Sequence, residues 1–298
     1  MVSLMSLENS RPVLAIDGGG TRCRFALAFG SERFTHELGA ANVFTDFDGA
    51  VHCITAGVTR LAEASGFDVA SIYRLPAYIG LAGANVEATR AKLEQSLKFT
   101  AARFDDDRNA AIRGAFGVSD GFLAHCGTGS FFASQMAGAR RIFGGWGPIL
   151  GDEASGSWLG KKALSTVLEH MDGRKSCHDL AFAVLGELND SDGILGFAAT
   201  ASPEQFGAFA PYVTKHAKQG DPICRDILRE GASLVSLGLD QAGWQPRSPI
   251  CLTGGLGPEY RAYLPDEKAL ALVKPLGPPI DGAVALARQF QKDRQIGR

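Results

Sequence analysis

The sequence predicts an α/β protein of two domains, on three observations. First, its 298 residues exceed what one hydrophobic core usually serves, so two units of roughly 100 to 200 residues are expected. Second, short strand patterns alternate with amphipathic helix patterns along the chain. Third, the succession strand, glycine turn, strand, turn, strand occurs near residue 13 and again near residue 121. The repeat indicates two related domains with a cleft between them.

The first half begins with three predicted strands, "VLAID", "RFALAFG" and "RFTHEL", separated by glycine or polar turns. This spacing predicts an antiparallel meander. "FDGAVHCITAGVTRLAEASG" then has apolar residues at helical spacing and ends at Gly66, and "LPAYIGLAG" is a buried strand. "NVEATRAKLEQSL" predicts a helix capped by Asn85. "FTAARFDDD" predicts a strand ending in three carboxylates, followed by a short helix in "RNAAIRGAFG".

The second half repeats the meander in "GFLAHCGTGSFFASQMAGARRIFGG" and continues into a long helix through "EASGSWLGKKALSTVLEHM". Residues 176–243 have helical patterns almost throughout. "SPICLTGGLG" then predicts a strand and a third glycine turn, and "LALVKP" predicts another strand. A helix in "IDGAVALARQFQKDR" closes the predicted order of elements.

Composition excludes several classes of function. The net charge is −2, without the basic run of a nucleic-acid-binding protein. No stretch approaches the 18 apolar residues of a membrane span, and the first residues lack the pattern of a secretory signal, so a cytoplasmic protein is expected. The cysteines are scattered without close pairs, which predicts free thiols rather than disulfides or a zinc site: Cys23, Cys53, Cys126, Cys177, Cys224 and Cys251.

Three glycine-rich turns follow predicted strands: "DGGGTR" (17–22), "CGTGS" (126–130) and "TGGLG" (253–257). Glycine tolerates positive φ and lets backbone N–H groups come close to a ligand, so such turns can bind anions without any lysine. Each turn alone is also consistent with an ordinary hairpin. Together they point to phosphate binding by backbone geometry.

Asp17 ends a buried strand just before the first glycine turn. An unpaired carboxylate there is costly unless a metal or hydrogen bonds meet it. A magnesium ion bridging to nucleotide phosphates would do so. The sequence does not match the dinucleotide-binding motif, because a predicted strand and not a helix follows "DGGGT". The segment "SGSWLGKK" does not match the P-loop motif, which requires glycine at position 155 and serine or threonine at position 162.

The duplicated meander with "AIDGGGTRCR", "HCGTGS" and "CLTGGLG" resembles the sugar kinase, Hsp70 and actin ATPase superfamily. Within it, "GGWGPILGDEASGSWLGKKAL" (144–164) is similar to the segment of N-acetylglucosamine kinases and of the BadF/BadG/BcrA/BcrD ATPases. The resemblance implies two actin-like (ribonuclease H-like) domains around an ATP cleft. The expected domains are 11–114, joined by a C-terminal helix at 281–297, and 115–280 with extra helices.

The resemblance also implies roles for individual residues. The phosphates of ATP would be held by Gly18, Gly19, Gly20 and Thr21 and by Gly127, Thr128, Gly129 and Ser130. Asp17 would face Mg²⁺, and Gly254 and Gly255 would lie beside the nucleoside. The sugar positions would be Asn42 in "ANVFTD", and Gly145, Trp146 and Asp152. Two alternatives stay open: Trp146 as a core residue, and Asp152 as the N-cap of the helix that follows.

The catalytic base is sought in "FDDDRNAAIRGA". Aligning Ala111, Gly114 and Ala115 with the family pattern selects Asp107, and Asp106 then stands where the family has asparagine. That extra negative charge could raise the pKa of the base, or it could simply point to solvent. Asp107 could also be the N-cap of the helix it precedes.

The expected activity is ATP-dependent phosphorylation of an amino sugar, first N-acetylglucosamine at its 6-hydroxyl, with Asp107 as general base. Glucosamine is an alternative substrate. An ATPase activator of a reductase or dehydratase is an alternative enzyme, and a sugar sensor without turnover is an alternative function. The residues leave open the preferred hexose and the oligomeric state, for which a homodimer is the commonest arrangement.

Overall fold

In a computed structural model the structure describes residues 11–297, which divide into two compact units, each built on one β-sheet flanked by helices. Within the described residues, the first unit contains 11–119 and 275–297, and the second contains Asp120–Lys274. This confirms the predicted α/β class. The limits of these units lie a few residues from the predicted domain limits, which stay a prediction.

The first unit has a five-stranded sheet in the order β3-β2-β1-β4-β5. The predicted meander is present, because the first three strands are antiparallel neighbours, whereas the last two run parallel to the first. The strands are β1 (Val13–Gly18), β2 (Cys23–Phe29), β3 (Glu32–Leu38), β4 (Ala77–Leu81) and β5 (Ala102–Asp106).

Four helices of the first unit lie between or directly after its strands: α1 (Phe47–Ser65), α2 (Val69–Ile72), α3 (Glu87–Ser96) and α4 (Asp107–Phe116). Asp46 caps the start of α1 by accepting a hydrogen bond from Gly49 N, and Gly66 ends it in the left-handed region. The expected cap of α3 by Asn85 is wrong. Val86 holds that position without a side-chain hydrogen bond.

Both faces of the first sheet are covered, which explains why β1 is apolar along its whole length. Side chains alternate between the two faces of a strand. Leu14 and Ile16 belong to the core that includes residues of α1, whereas Val13 and Ala15 belong to a second core on the other face. The end of β1 is therefore held rigidly between two packed layers.

The second unit has a four-stranded sheet in the order β8-β7-β6-β9, which is the order of the first sheet without its fifth strand. Its strands are β6 (Gly121–Cys126), β7 (Ser130–Met136), β8 (Ala139–Gly144) and β9 (Ile250–Thr253). The predicted strand in "LALVKP" is wrong, because that segment contributes only a single parallel bridge from Leu272 to Ile250.

The helices of the second unit cover its sheet and build most of its core. They are α5 (Gly156–Met171), α6 (His178–Leu188), α7 (Ser191–Thr200), α8 (Pro203–Gly207), α9 (Ala210–Gln219), α10 (Pro222–Gln241) and α11 (Asp266–Leu270), with a 3₁₀ helix at Gly257–Tyr263. One continuous apolar core joins residues from β6, α5, α9 and α10. Across residues 11–297, none of the helices has both the length and the apolar character that crossing a membrane requires.

The last helix, α12 (Pro279–Gln295), packs against α4 and β1 of the first unit. Glycines make the close crossing feasible. A Cβ atom added to Gly282 would lie 2.0 Å from the Ala110 carbonyl oxygen, and one added to Gly114 would lie 2.5 Å from the Pro278 carbonyl oxygen. The helix that begins at Asp107 is thus fixed against α12 through Ala110 and Gly114.

Candidate functional site

The first unit brings its predicted carboxylates together at one edge of the sheet. Strands β1, β4 and β5 are parallel, so their carboxyl ends meet, and ligands of open α/β sheets bind outside such ends. Asp17 pairs with Gly80, and Gly80 pairs with Asp105. A Cβ atom on Gly19 would lie 4.0 Å from Asp107 Oδ2. The Asp107 carboxylate therefore lies beside the first glycine turn.

The first glycine turn needs glycine for close approach rather than for its dihedral angles. Within the described residues, φ is not positive at Gly18, Gly19 or Gly20. Positive φ is therefore the wrong reason for these glycines. A Cβ atom on Gly18 would lie 2.6 Å from Leu81 Cδ2, closer than carbon atoms pack. Gly19 N donates to Arg22 O at 2.9 Å and closes the turn.

Asp17 is only 6 % exposed, at the mouth of this turn. Burial raises its pKa to about 6, and the nearby Arg24 opposes that rise. Arg24 Nη1 donates to Asp17 Oδ2 at 3.2 Å, and its Nε donates to Glu37 Oε2 at 3.1 Å. Because the arginine is shared with Glu37 and is partly exposed, it compensates the buried carboxylate only in part.

The three aspartates of "FDDD" have distinct surroundings. Asp106 caps α4 by accepting from Arg108 N at 3.0 Å, and the Arg108 guanidinium binds the same carboxylate through Nε at 2.8 Å. Burial alone would raise the pKa of Asp106, but the hydrogen bonds and charge of Arg108 lower it. Asp106 is therefore held by Arg108 and does not point to solvent, and the alternative of Asp107 as N-cap is wrong.

Asp107 is the first residue of α4, and its pKa lies well above the ordinary aspartate value. Burial is the largest cause, followed by the negative charges of Asp106 and Asp17. A carboxylate that binds a proton unusually well is suited to accept one from a substrate hydroxyl. Asp107 thus differs from Asp106, whose pKa is lowered.

Asn42 lies in a segment attached to the first turn. Ala41 N donates to Gly19 O at 3.1 Å, so the two pieces of backbone are joined directly. Asn42 Oδ1 accepts from Phe44 N at 3.0 Å and from Thr45 N at 3.4 Å. Since this oxygen is engaged locally, Asn42 would offer a ligand its N–H groups as donors.

In the second unit, the second glycine turn packs against the beginning of α5. Gly156 N donates to Gly127 O at 2.7 Å, and Ser157 N donates to Thr128 O at 3.2 Å. The unpaired amides at the start of a helix are thereby satisfied by the carbonyl groups of the turn. Ser130 Oγ, at the far end of the turn, donates to Glu153 O at 2.6 Å.

The second and third glycine turns form one cluster at the ends of β6 and β9. Leu256 N donates to Cys126 O at 2.9 Å, and His125 Nδ1 lies 3.0 Å from Thr253 Oγ1. Gly254 has φ +79°, and a Cβ atom there would lie 2.3 Å from Cys126 O. Only glycine meets both conditions at this position. Gly255, by contrast, has open space around its Cα.

The segment from Gly144 to Ser155 carries the other predicted sugar positions. Three of its glycines, Gly144, Gly145 and Gly147, have positive φ, which gives the segment a tightly turned backbone. Trp146 is 72 % exposed, so its alternative role as a core residue is wrong. Its ring is available to a ligand.

Asp152 connects this segment to the second turn. Its Oδ1 accepts from Gly147 N at 3.3 Å, and backbone hydrogen bonds from Gly147 and Ser130 counter the rise of its pKa caused by burial. It sits at φ +59°, a strained conformation that recurs at functional sites. The alternative role of N-cap is wrong, because Ser155 caps α5 by accepting from Trp158 N.

Sequence reasoning missed two residues beside the glycine turns, Arg24 in the first unit and His125 in the second. Arg24 stands directly opposite Asp17 in the β1–β2 pairing. Counting outward from the predicted turn could have found it. His125 stands opposite Thr253 in neighbouring parallel strands, and no local signal shows which strands become neighbours.

Among known proteins, the chain is similar to kinases of amino sugars. The chain is 28% identical over 278 residues to the glucosamine kinase GspK of Vibrio cholerae, covering 92% of this chain and 95% of that protein. It is 29% identical over 161 residues to the N-acetyl-D-glucosamine kinase of Dictyostelium discoideum, covering 49% of this chain and 50% of that one.

The chain also resembles a solved structure and matches a family model. The crystal structure of a candidate N-acetylglucosamine kinase from Chromobacterium violaceum has a TM-score of 0.84 and 29% identity, covering 94% of this chain and all of that one. The likeness confirms the predicted sugar-kinase fold. Residues 14–264 match the profile of the BadF/BadG/BcrA/BcrD ATPase family, which is most of the chain. The chain therefore belongs to the BadF/BadG/BcrA/BcrD ATPase family.

Proposed function

We propose that this chain transfers the γ-phosphoryl group of ATP to the 6-hydroxyl of an amino sugar, with N-acetylglucosamine as first candidate substrate and glucosamine as second. The observation that carries the proposal is the meeting of Asp17, the first glycine turn and Asp107 at one sheet edge. Relatives named as kinases of both sugars support it.

Asp107 is proposed as the general base. It would accept the proton of the attacking hydroxyl as the new bond to phosphorus forms. A base must bind the proton well enough to take it, and the raised pKa of Asp107 meets that need. Asp106 and Arg108 hold the start of α4 in place, so the carboxylate is positioned before substrate binds.

The glycine turns are proposed to hold the nucleotide. In the first, Gly18 to Thr21 would present backbone N–H groups to phosphate oxygens, and Gly127 to Ser130 would do so in the second. The carbonyls of Gly127 and Thr128 already accept from α5, so the peptide groups of that turn are oriented without ligand. Gly254 and Gly255 are proposed to lie beside the nucleoside.

The residues of the first unit fit a magnesium ion. Mg²⁺ is commonly held by one or two carboxylates, with phosphates and water completing its shell. Asp17 is a buried carboxylate that Arg24 compensates only in part, which is the donor that such an ion would neutralise. When bound, the ion would supply charge neutralisation on the phosphates. Asp17 is the residue proposed to hold it.

Asn42, Gly145, Trp146 and Asp152 are proposed to contact the sugar. Asn42 would donate through its amide nitrogen, and the exposed Trp146 ring would pack on an apolar face of the sugar. The Asp152 carboxylate already accepts from Gly147 N. Its contribution would include fixing the segment that carries Trp146.

The alternative of a reductase activator is not supported by the thiols. Such an activator must offer thiolates to a shared iron–sulfur cluster. Of the six cysteines, five are buried and Cys53 is half-buried. Among residues 11–297 there is no cluster of three or more cysteine, histidine or carboxylate side chains suited to a metal.

The proposal is tested by a kinase assay of the purified protein with Mg²⁺ and ATP across N-acetylglucosamine, glucosamine, N-acetylmannosamine and glucose. We expect sugar-dependent ADP release, with a 6-phosphate product identified by mass spectrometry and ³¹P NMR. The preferred sugar follows from the ratio of kcat/KM values, which a difference of one small group changes by about 10- to 200-fold.

Two results would count against this function. Thermal stabilisation by a sugar without ADP release would indicate a sensor instead of an enzyme. ADP release that no sugar stimulates would indicate an ATPase with another partner. When aspartates of the site are substituted in this assay, the exposed Asp48→Asn variant on α1 is the control, and it should keep wild-type activity.

A further inference from the structure

We propose that Cys23 and Cys53 form a thiol pair that peroxide converts to a disulfide, and that this disulfide weakens phosphate binding at the first glycine turn. The second part rests on the proposed function, because it assumes that this turn holds phosphate. The first part stands on the positions of the two thiols alone.

Strand pairing places the two thiols on one patch of the first sheet. Cys23 begins β2 and pairs with Gly18 on one side and with Leu38 on the other. Gly39 follows Leu38, and its carbonyl oxygen accepts from Cys53 Sγ at 3.7 Å. Cys23 belongs to the core on this face, and Cys53 of α1 packs against that core. The two side chains therefore converge from the sheet and from the helix.

The two thiols are neighbours that differ in accessibility. The neighbouring Cys53 thiol and burial raise the pKa of Cys23, and the neighbouring Cys23 thiol lowers the pKa of Cys53. Cys53 is half-buried, whereas Cys23 is fully buried. The thiolate is the reactive form of cysteine, so the accessible Cys53 is the first to react and the buried Cys23 is the resolving thiol.

The chemistry balances with hydrogen peroxide as oxidant. The Cys53 thiolate attacks one peroxide oxygen; the O–O bond breaks, and water leaves after proton uptake, giving Cys53 sulfenic acid. The Cys23 sulfur then attacks the Cys53 sulfur, and the sulfenic oxygen leaves as a second water. The sum is two thiols and one peroxide giving one disulfide and two waters. A dithiol reductant reverses it by exchange.

The first turn lies close enough to respond. A Cβ atom on Gly18 would be 3.3 Å from Cys23 Sγ, so there is little free space between that thiol and the turn. A disulfide brings the sulfurs to about 2.0 Å, well inside the contact distance of two thiols. The start of β2 and the Gly39–Asn42 segment must then shift. That segment bonds to Gly19 through Ala41 N, so the shift reaches the turn.

The chemical part is tested by peptide mapping. The native protein is treated with hydrogen peroxide, blocked with an alkylating reagent and digested with trypsin without reduction. We expect the peptide of residues 34–60, which contains Cys53, linked to a short peptide containing Cys23, and an intact mass lower by two hydrogen atoms. Cys53→Ser and Cys23→Ala should abolish the link, and Cys224→Ala in α10 should leave it. Oxidation of Cys53 to sulfinic acid without a link would overturn the proposal.

The functional part is tested by MgADP binding measured by calorimetry on oxidised and re-reduced protein. We expect the Kd to rise at least about fivefold on oxidation and to recover with dithiothreitol. Cys53→Ser should show no peroxide response, and Cys224→Ala should respond like the wild type. Unchanged Kd in fully linked protein would overturn the functional part. Absence of kinase activity would affect the proposed function and leave the peptide map valid.

Discussion

The first and second glycine turns occupy equivalent places in two meanders, yet their chemistry differs. "DGGGT" and "CGTGS" align so that Asp17 corresponds to Cys126 and Thr21 to Ser130. Burial raises the pKa of Asp17 to about 6 and that of Cys126 to about 12. At neutral pH the first turn thus carries a negative charge, whereas the second turn carries a neutral thiol.

The residues around the two turns also differ in charge. In the first unit a fifth strand ends beside the turn and adds the carboxylates of Asp106 and Asp107. The second sheet ends without that strand, and its turn is supported by the amides of α5 instead. The two units thus share a strand arrangement, while the carboxylates proposed for acid–base and metal chemistry, Asp107 and Asp17, lie in the first unit only.

The largest expected effect comes from the carboxylate that has no counterpart in the second unit. Asp107→Asn should lower kcat by at least about 10²-fold with little change in sugar KM, because a general base acts mainly in the transition state. Steady-state kinetics with the preferred sugar measures it. Asp105→Asn, one residue from the cap of α4, is the matched control and should have a much smaller effect. Near-normal turnover of Asp107→Asn would refute the base assignment.

Substituting the aligned pair tests whether the charge at the turn matters. Asp17→Asn should lower kcat/KM about tenfold or more and raise the magnesium concentration needed for half-maximal activity, since one ion ligand is lost. Cys126→Ser, a neutral replacement of a neutral group, should leave the magnesium dependence as it is. Magnesium titrations of activity decide it. Equal magnesium dependence in wild type and Asp17→Asn would remove the proposed metal role.

Two neighbouring glycines of the third turn test whether the backbone requires glycine at each position. Gly254→Ala should lower the free energy of unfolding by about 2 kcal/mol or more, because its φ is positive and its Cβ would meet backbone atoms. Gly255→Ala has open space and should cost about 1 kcal/mol or less. Urea unfolding followed by circular dichroism gives both values. Similar stabilities for the two variants would contradict the geometry of the turn.

The smallest expected effect is a shift of the pH profile. A base must be ionised, so kcat should fall as the pH drops through the pKa of Asp107. After burial, the charge of Asp106 is the next cause of that raised pKa. Asp106→Asn should therefore move the acidic limb to lower pH, by about one unit or less. The profile of kcat against pH measures the shift, and a limb that moves to higher pH would show that Asp106 acts otherwise.

Much of the fold could be predicted from the sequence because its signals are local. Alternating apolar residues and glycine turns predicted both meanders, and apolar spacing predicted α1, α5 and α12. The failures concern segments whose local preference is weak. "LALVKP" is apolar enough for a strand but contributes one bridge, and Asn85 is a good cap residue next to a helix that begins without it. Tertiary packing overrides such weak preferences.

The sequence by itself determined which residue types are available: a carboxylate before the first glycine turn, three aspartates after a strand, and a neutral thiol in the second turn. Only the tertiary structure decided how they are used. It gave the helix cap to Asp106 and left Asp107 half-buried near the negative charges of Asp106 and Asp17. It also set Arg24 against Asp17 and packed Cys53 against the core that contains Cys23. Burial and distance set pKa values and ion pairs, and both arise when strands remote in sequence become neighbours.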